Sequence, residues 1–159
     1  MTCTVIARDE RSVANPRLDI DRWARLAEAT ADHEGGVGEL TLTFLDRCEM
    51  AELNAEHMGR EEATDVLSFP MDDVATPGVP TLLGDIVICP AAAVDQFITH
   101  AGTFEDEVAL LVVHGVLHIL GHDHAEAEQT AAMRGRELAL LELYHWGGLA
   151  PGGFRQAQD

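Results

Sequence analysis

The chain has 159 residues and a mass of 17.2 kDa, a size that fits one domain with its own hydrophobic core. Its net charge of -18, from 28 acidic residues against ten arginines and no lysine, argues against a broad basic surface and predicts weak binding to free RNA. No apolar run approaches a membrane span, no signal-peptide pattern opens the chain, and the three cysteines are widely spaced, so we expect a soluble protein in the reducing cytoplasm.

Hydrophobic periodicity predicts alternating strands and helices in the first part of the chain. The elements predicted there are a strand over 2–7, a helix over 19–34, a strand over 37–45 and a helix over 47–56. Trp23 lies on the apolar side of the first helix, and we interpret it as a core anchor. Asp46, followed three residues later by Glu49, is an Asp-led variant of the capping box and predicts the start of the second helix.

The second part of the chain carries two more strands and three more helices. The elements predicted there are strands over 64–69 and 82–89, helices over 91–101, 103–121 and 125–145, an exposed loop over 72–81 and a disordered tail over 147–159. Pro90 suits the first position of a helix, and Thr103 suits the cap of the next one. Because strands and helices do not alternate strictly, we predict an α+β fold with helices against a small mixed sheet in a single domain over 1–146.

Arginines are concentrated near the N-terminus. Five of the ten lie in the first 25 residues, namely Arg8, Arg11, Arg17, Arg22 and Arg25. Scattered solvated charges are the default interpretation, and one basic patch is the alternative.

A histidine cluster at residues 112–124 is the strongest chemical signal in the chain. His114 and His118 are four residues apart, so on a helix they are offset by about 40° and one turn and share a face. Gly121 suits a left-handed turn that ends the helix and returns His124 towards the same face. Three imidazoles with one open position describe a catalytic zinc site, so we predict one Zn²⁺ per chain on these three histidines. His122 is expected to face solvent or substrate.

The spacing His-x-x-x-His-x-x-Gly-x-x-His is also that of the metzincin metalloproteases. Those enzymes have a glutamate as general base directly after the first histidine, whereas this chain has Gly115. A protease mechanism therefore lacks its usual base.

With glycine at that position, the histidine cluster resembles the signature of the YbeY family of bacterial ribosomal RNA maturation endoribonucleases. Two further blocks, 64–70 and 84–90, resemble the same family. The resemblance implies a four-stranded sheet with the metal helix packed on it. It also implies zinc-dependent hydrolysis of single-stranded RNA, in 16S ribosomal RNA 3′-end maturation and ribosome quality control. RNA, the small ribosomal subunit and its assembly proteins are the implied partners, with neither DNA nor a membrane expected.

The proton-transfer and phosphate-binding groups are less well defined than the metal ligands. Asp123 is the carboxylate nearest to the predicted ligands; we rate a hydrogen bond to a ligating imidazole, or capping of the next helix, above direct acid or base work. Family members commonly have an arginine where this chain has Met58, and Arg60 is the candidate replacement as a phosphate contact. Asp65 and Asp85 belong to the family blocks but are equally explained as turn or sheet-end residues.

Two other functions fit part of the sequence. A non-catalytic ribosome assembly factor with structural zinc would be consistent with the acidity and with Met58 in place of the arginine. A zinc metalloprotease would fit the ligand spacing but would need an atypical base.

Overall fold

A four-stranded mixed sheet with helices on both faces makes up the fold. The computed structural model describes residues 3–59, 64–71, 81–122 and 126–156. In chain order the elements are β1 Cys3–Asp9, α1 Ile20–His33, β2 Gly38–Phe44, α2 Arg47–Met58, β3 Val66–Pro70, β4 Leu82–Ile88, α3 Pro90–Gln96, α4 Phe104–Ile119, α5 Ala127–Leu141 and a π-helical turn Glu142–Trp146. The α+β fold class predicted from the sequence is confirmed.

The sheet has the strand order β1-β2-β4-β3. β1, β2 and β4 are parallel, and β3 runs antiparallel to β4. Alternation along β2 places Leu40, Leu42 and Phe44 in the main core with no exposure, as period 2 requires. Helices α1 and α4 pack into that core, whereas α2 contributes Met50 to a second apolar cluster that includes Val87 of β4.

Helix α4 is the central element of the core. Twelve of its sixteen residues are buried, so it is apolar nearly all round, as the sequence predicted. The Thr103 side chain caps it by accepting a hydrogen bond from the Asp106 amide at 3.1 Å. At its other end, Gly121 has a φ of +102°, the left-handed conformation that the sequence pattern predicted. Trp23 of α1 packs into the same core with 2% exposure.

Two local expectations differ from the structure, and one helix cap was not predicted. Asp46 makes no capping bond to α2, because its carboxylate instead accepts a hydrogen bond from the Ser12 amide at 2.8 Å. Helix α3 ends at Gln96, and turns rather than helix occupy 97–100. Helix α5 begins with a capping box formed by Glu126 and Gln129 that the sequence reading missed.

Residues 147–156 of the tail are among those that the structure describes, and disorder of the tail from residue 147 stays a prediction. Trp146 and Phe154 meet edge to face with ring centroids 4.8 Å apart, and Phe154 packs against the main core. The Arg155 amide donates to the His100 carbonyl at 3.1 Å. These contacts place Phe154 beside the C-terminal end of the helical region. No helix in the described part of the chain is long and apolar enough to cross a bilayer.

Candidate metal centre

Helix α4 places two imidazoles side by side on one face. The ring centroids of His114 and His118 are 4.8 Å apart, and the rings meet edge to face at 68°. The neighbouring positions Gly115, Val116 and Leu117 are buried, so the helix cannot rotate this face away without exposing core. Two neighbouring imidazoles within an apolar helix are a donor pair suited to Zn²⁺.

A buried carboxylate stands behind the first imidazole. Glu137 of α5 is 4% exposed, and its Oε1 lies 3.5 Å from Nδ1 of His114. When Nδ1 carries the proton and donates to this carboxylate, Nε2 of His114 keeps its lone pair for a metal. The role of Glu137 was not predicted from the sequence. The helical spacing nevertheless indicates that Glu137 is buried, because it lies four residues from both Met133 and Leu141 on the buried side of α5.

A cavity of about 80 Å³ adjoins His114 between α4, α5 and the start of β3, and acidic groups line part of it. Glu107 lines it without exposure and accepts hydrogen bonds from Gln96 Nε2 at 3.0 Å and from the Ala101 amide at 3.3 Å. Gln96 Nε2 also donates to Asp65 Oδ2 at 2.8 Å. Asp65 therefore ties the start of β3 to the end of α3, which agrees with its structural interpretation.

Gly115 lies at a close approach of α4 to the sheet. A Cβ built on Gly115 would lie 2.7 Å from Cγ2 of Ile86, which is shorter than real Cβ contacts. Ile86 is fully buried and branched at Cβ, so it cannot yield easily. The position where a metzincin protease has its glutamate is thus filled by β4 in this chain.

Comparison with known proteins identifies the family. The family model described as Endoribonuclease YbeY matches residues 7–145. The chain belongs to the YbeY family. It is 44% identical over 137 residues to Endoribonuclease YbeY of Salinispora tropica, covering 77% of this chain and 87% of that protein. It is 38% identical over 144 residues to Endoribonuclease YbeY of Nocardia farcinica, covering 86% of this chain and 78% of that protein.

A solved structure with the same fold supports the architecture. The solution structure of TM1509 from Thermotoga maritima superposes with a TM-score of 0.61 at 25% identity, covering 89% of this chain and 90% of that one. The four-stranded mixed sheet that the YbeY resemblance implied is therefore present here.

Of the three predicted ligands, the structure brings together His114 and His118. His124 and the catalytic candidates Asp123 and Arg60 lie outside the described residues, and so does the side chain of Met58. Within residues 3–59, 64–71, 81–122 and 126–156, no group of three or more His, Cys, Asp or Glu side chains is placed to hold a metal ion. The three-histidine set of this YbeY-family chain thus remains a prediction that depends on His124.

Two other residues singled out in the sequence lie away from the pair. Nε2 of His122 lies 3.5 Å from Oε1 of Glu34, so this histidine faces the end of α1. The Asp85 carboxylate accepts a hydrogen bond from the Thr41 hydroxyl on the neighbouring strand β2. Because Ile86 packs against α4, the side chain of Asp85 leaves the opposite face of the sheet, and it is interpreted as a sheet residue.

Proposed function

We propose that this chain is a zinc-dependent endoribonuclease that hydrolyses single-stranded RNA. The observation that carries the proposal is the imidazole pair of His114 and His118 backed by the buried carboxylate of Glu137. The substrate class is supported by the similar proteins of Salinispora tropica and Nocardia farcinica, which are named as endoribonucleases. We further propose a cytoplasmic role in 16S ribosomal RNA 3′-end maturation and ribosome quality control, with the small ribosomal subunit and its assembly proteins as partners.

His114 and His118 would hold one zinc ion, with His124 as the proposed third ligand. When bound, the ion supplies Lewis-acid polarisation of a phosphoryl oxygen and a water of lowered pKa. His114 and His118, on one face of α4, are suited to holding this ion, because neutral imidazole nitrogens bind Zn²⁺ at about 2.0–2.1 Å.

The protein's own groups orient the donors and exclude water. With Nδ1 of His114 protonated, Glu137 would accept its hydrogen bond, which would fix the tautomer and leave the Nε2 lone pair for the ion. The apolar packing of α4 fixes the spacing of the two rings. In this proposal Asp123 supports a ligating imidazole or transfers a proton, and Arg60 makes a bidentate contact to the phosphate.

The test is cleavage of a labelled single-stranded RNA that carries precursor small-subunit 3′ sequence. We expect zinc-loaded wild type to cut it, and chelator-treated wild type and zinc-incubated His114→Ala to fail. Thermal melting of His114→Ala verifies that the variant is folded. Failure of the wild type across several salts and metals would overturn the nuclease proposal in favour of an assembly factor. Zinc-dependent digestion of an unstructured protein substrate instead of RNA would favour a protease.

A further inference from the structure

A cleft between α1 and the π-helical turn has a local charge opposite to that of the chain. Its volume is about 340 Å³. The residues that line this arginine cleft are Arg22, Trp23, Arg25, Leu26, Ala29, Tyr144 and His145. Among the described residues no carboxylate lines it, although the chain has 28 acidic residues against ten arginines. Arg22 also lines a neighbouring cleft that holds the carboxylates of Asp19, Asp21 and Glu105, so the positive character is local to the arginine cleft.

The two arginines of the cleft form no close ion pair with a described carboxylate. In the described ranges, neither Arg22 nor Arg25 makes an ion pair within 4.0 Å. Other arginines of this chain do so: Arg11 pairs with Asp9, Arg47 with Asp95 and Arg136 with Glu34. An unpaired guanidinium pair in a cleft is suited to an anion that accepts several hydrogen bonds.

Arg22 is held in place before any ligand arrives. Its guanidinium carbon lies 4.7 Å from the centroid of the Trp23 ring, and its Nη2 lies 3.4 Å from Nδ1 of His145. The other ring nitrogen of His145 lies 2.7 Å from Oδ1 of Asp106, which also accepts from Trp146 Nε1 at 2.9 Å. The Asp106 carboxylate is thus in contact with ring nitrogens of His145 and Trp146, behind the cleft. Pre-ordering of this kind reduces the entropy lost on binding.

We propose that the arginine cleft binds a backbone phosphate of the RNA substrate, away from the bond that is cut. Planar guanidinium groups match phosphate geometry, and Tyr144, which is 42% exposed, offers a ring at the rim for a neighbouring base. This inference rests on the proposed ribonuclease function and deepens it. It also answers how a chain with a net charge of -18 holds RNA, because the attraction is local.

The position of the cleft sets a minimum length for the RNA. His145 contacts Asp106 in the first turn of α4, whereas His118 lies twelve residues further along the same helix. At 1.5 Å per residue the two ends are about 18 Å apart along the helix axis. With about 3.4 Å per nucleotide, a stacked strand would place about five nucleotides between the bound phosphate and the scissile one, and an extended strand would place fewer. A four-nucleotide RNA is expected to be too short to reach both sites.

The binding test uses chelator-treated protein, so that affinity is measured without cleavage. A labelled twelve-nucleotide single-stranded RNA is titrated at several salt concentrations against wild type, the double variant Arg22→Gln/Arg25→Gln and the control Arg47→Gln/Arg155→Gln. The control removes the same two charges from exposed positions on other parts of the chain. We expect the cleft variant to bind at least tenfold more weakly, with a slope of log affinity against log salt smaller by about 1.4, or about 0.7 per lost contact. Equal affinity of the two double variants would overturn the proposal.

Two further arms separate the possible ligands and the possible failures. Inorganic phosphate is titrated against the same proteins; loss of phosphate binding in the cleft variant with unchanged RNA affinity would identify a free-anion site and refute the RNA site. With zinc-loaded protein, the cleft variant is expected to raise KM for the twelve-nucleotide RNA at unchanged kcat and to leave cleavage of a four-nucleotide RNA unchanged. If wild type binds RNA through the cleft but cuts none, the proposed nuclease function fails while the cleft stands.

Discussion

Replacing Glu137 by glutamine tests the carboxylate behind the metal centre. Glutamine keeps the size of the side chain and one acceptor oxygen but removes the negative charge that faces Nδ1 of His114. In proteins, loss of a partner that hydrogen-bonds a metal ligand typically costs about 10–100-fold in metal affinity. We therefore expect Glu137→Gln to bind zinc more weakly than wild type.

The distance between His114 and Glu137 places the expected loss of zinc affinity near the lower end of that range. Nδ1 of His114 and Oε1 of Glu137 are 3.5 Å apart, at the long limit of a hydrogen bond, although the Glu137 side chain is only 6% exposed. About a tenfold rise in zinc Kd is expected, which corresponds to about 1.4 kcal/mol.

The assay is competition for zinc against a chelator of known affinity, with Glu128→Gln as the matched control. Glu128 lies on the same helix, α5, but is exposed, so the control removes the same charge without touching His114. A second readout is the visible spectrum of the Co²⁺-loaded protein, which reports ligand geometry and which a general loss of stability would not alter. Zinc affinity and Co²⁺ spectra that are the same for both variants would refute the role given to Glu137.

Two further predictions concern packing and thiol chemistry. Gly115→Ala is expected to lower the free energy of unfolding by up to about 2 kcal/mol, because overpacking against Ile86 costs about 1–3 kcal/mol while helix propensity returns about 1. Gly135→Ala, with nothing within 4 Å of its Cβ, should instead stabilise by about 0.4–1 kcal/mol, and denaturant titrations that rank the two variants the other way would contradict this. Burial, with two nearby carboxylates, raises the pKa of the Cys3 thiol to about 11, so at pH 8 iodoacetamide should modify exposed Cys48 and spare Cys3, as peptide mass mapping would verify.

Local periodicity was enough to predict helix α4 and its histidine pair. The shared face of His114 and His118, the Thr103 cap and the turn at Gly121 each depend on residues within one or two helical turns. Such features follow from helix geometry alone, without knowledge of what packs around the helix.

The features that the sequence did not predict depend on contacts between distant segments. Glu137 reaches His114 across 23 residues, and its role exists only because α5 packs along α4. Asp46 is diverted from its helix by the Ser12 amide, 34 residues away. Phe154, in the predicted tail, packs against Trp146 and the core. A side chain with two possible partners takes the one that the tertiary packing supplies.

The early arginines illustrate the same limit. From the sequence, scattered charges were the default and one basic patch the alternative, and the structure distributes these arginines. Arg11 is paired with Asp9, and Arg8 lies on the other side of the molecule beside Asp85. Arg22 and Arg25 line the arginine cleft together. Two arginines one helical turn apart, rather than five close in sequence, provide the local charge.

Zinc titration of His118→Ala beside His122→Ala tests the central claim most directly. Both variants remove one imidazole from the same short stretch, but the structure places His118 next to His114 and His122 next to Glu34. The metal centre described above predicts that His118→Ala loses far more than the hundredfold expected for an outer partner, while His122→Ala binds zinc like wild type. Full zinc affinity in His118→Ala would contradict the metal centre and, with it, the proposed enzyme.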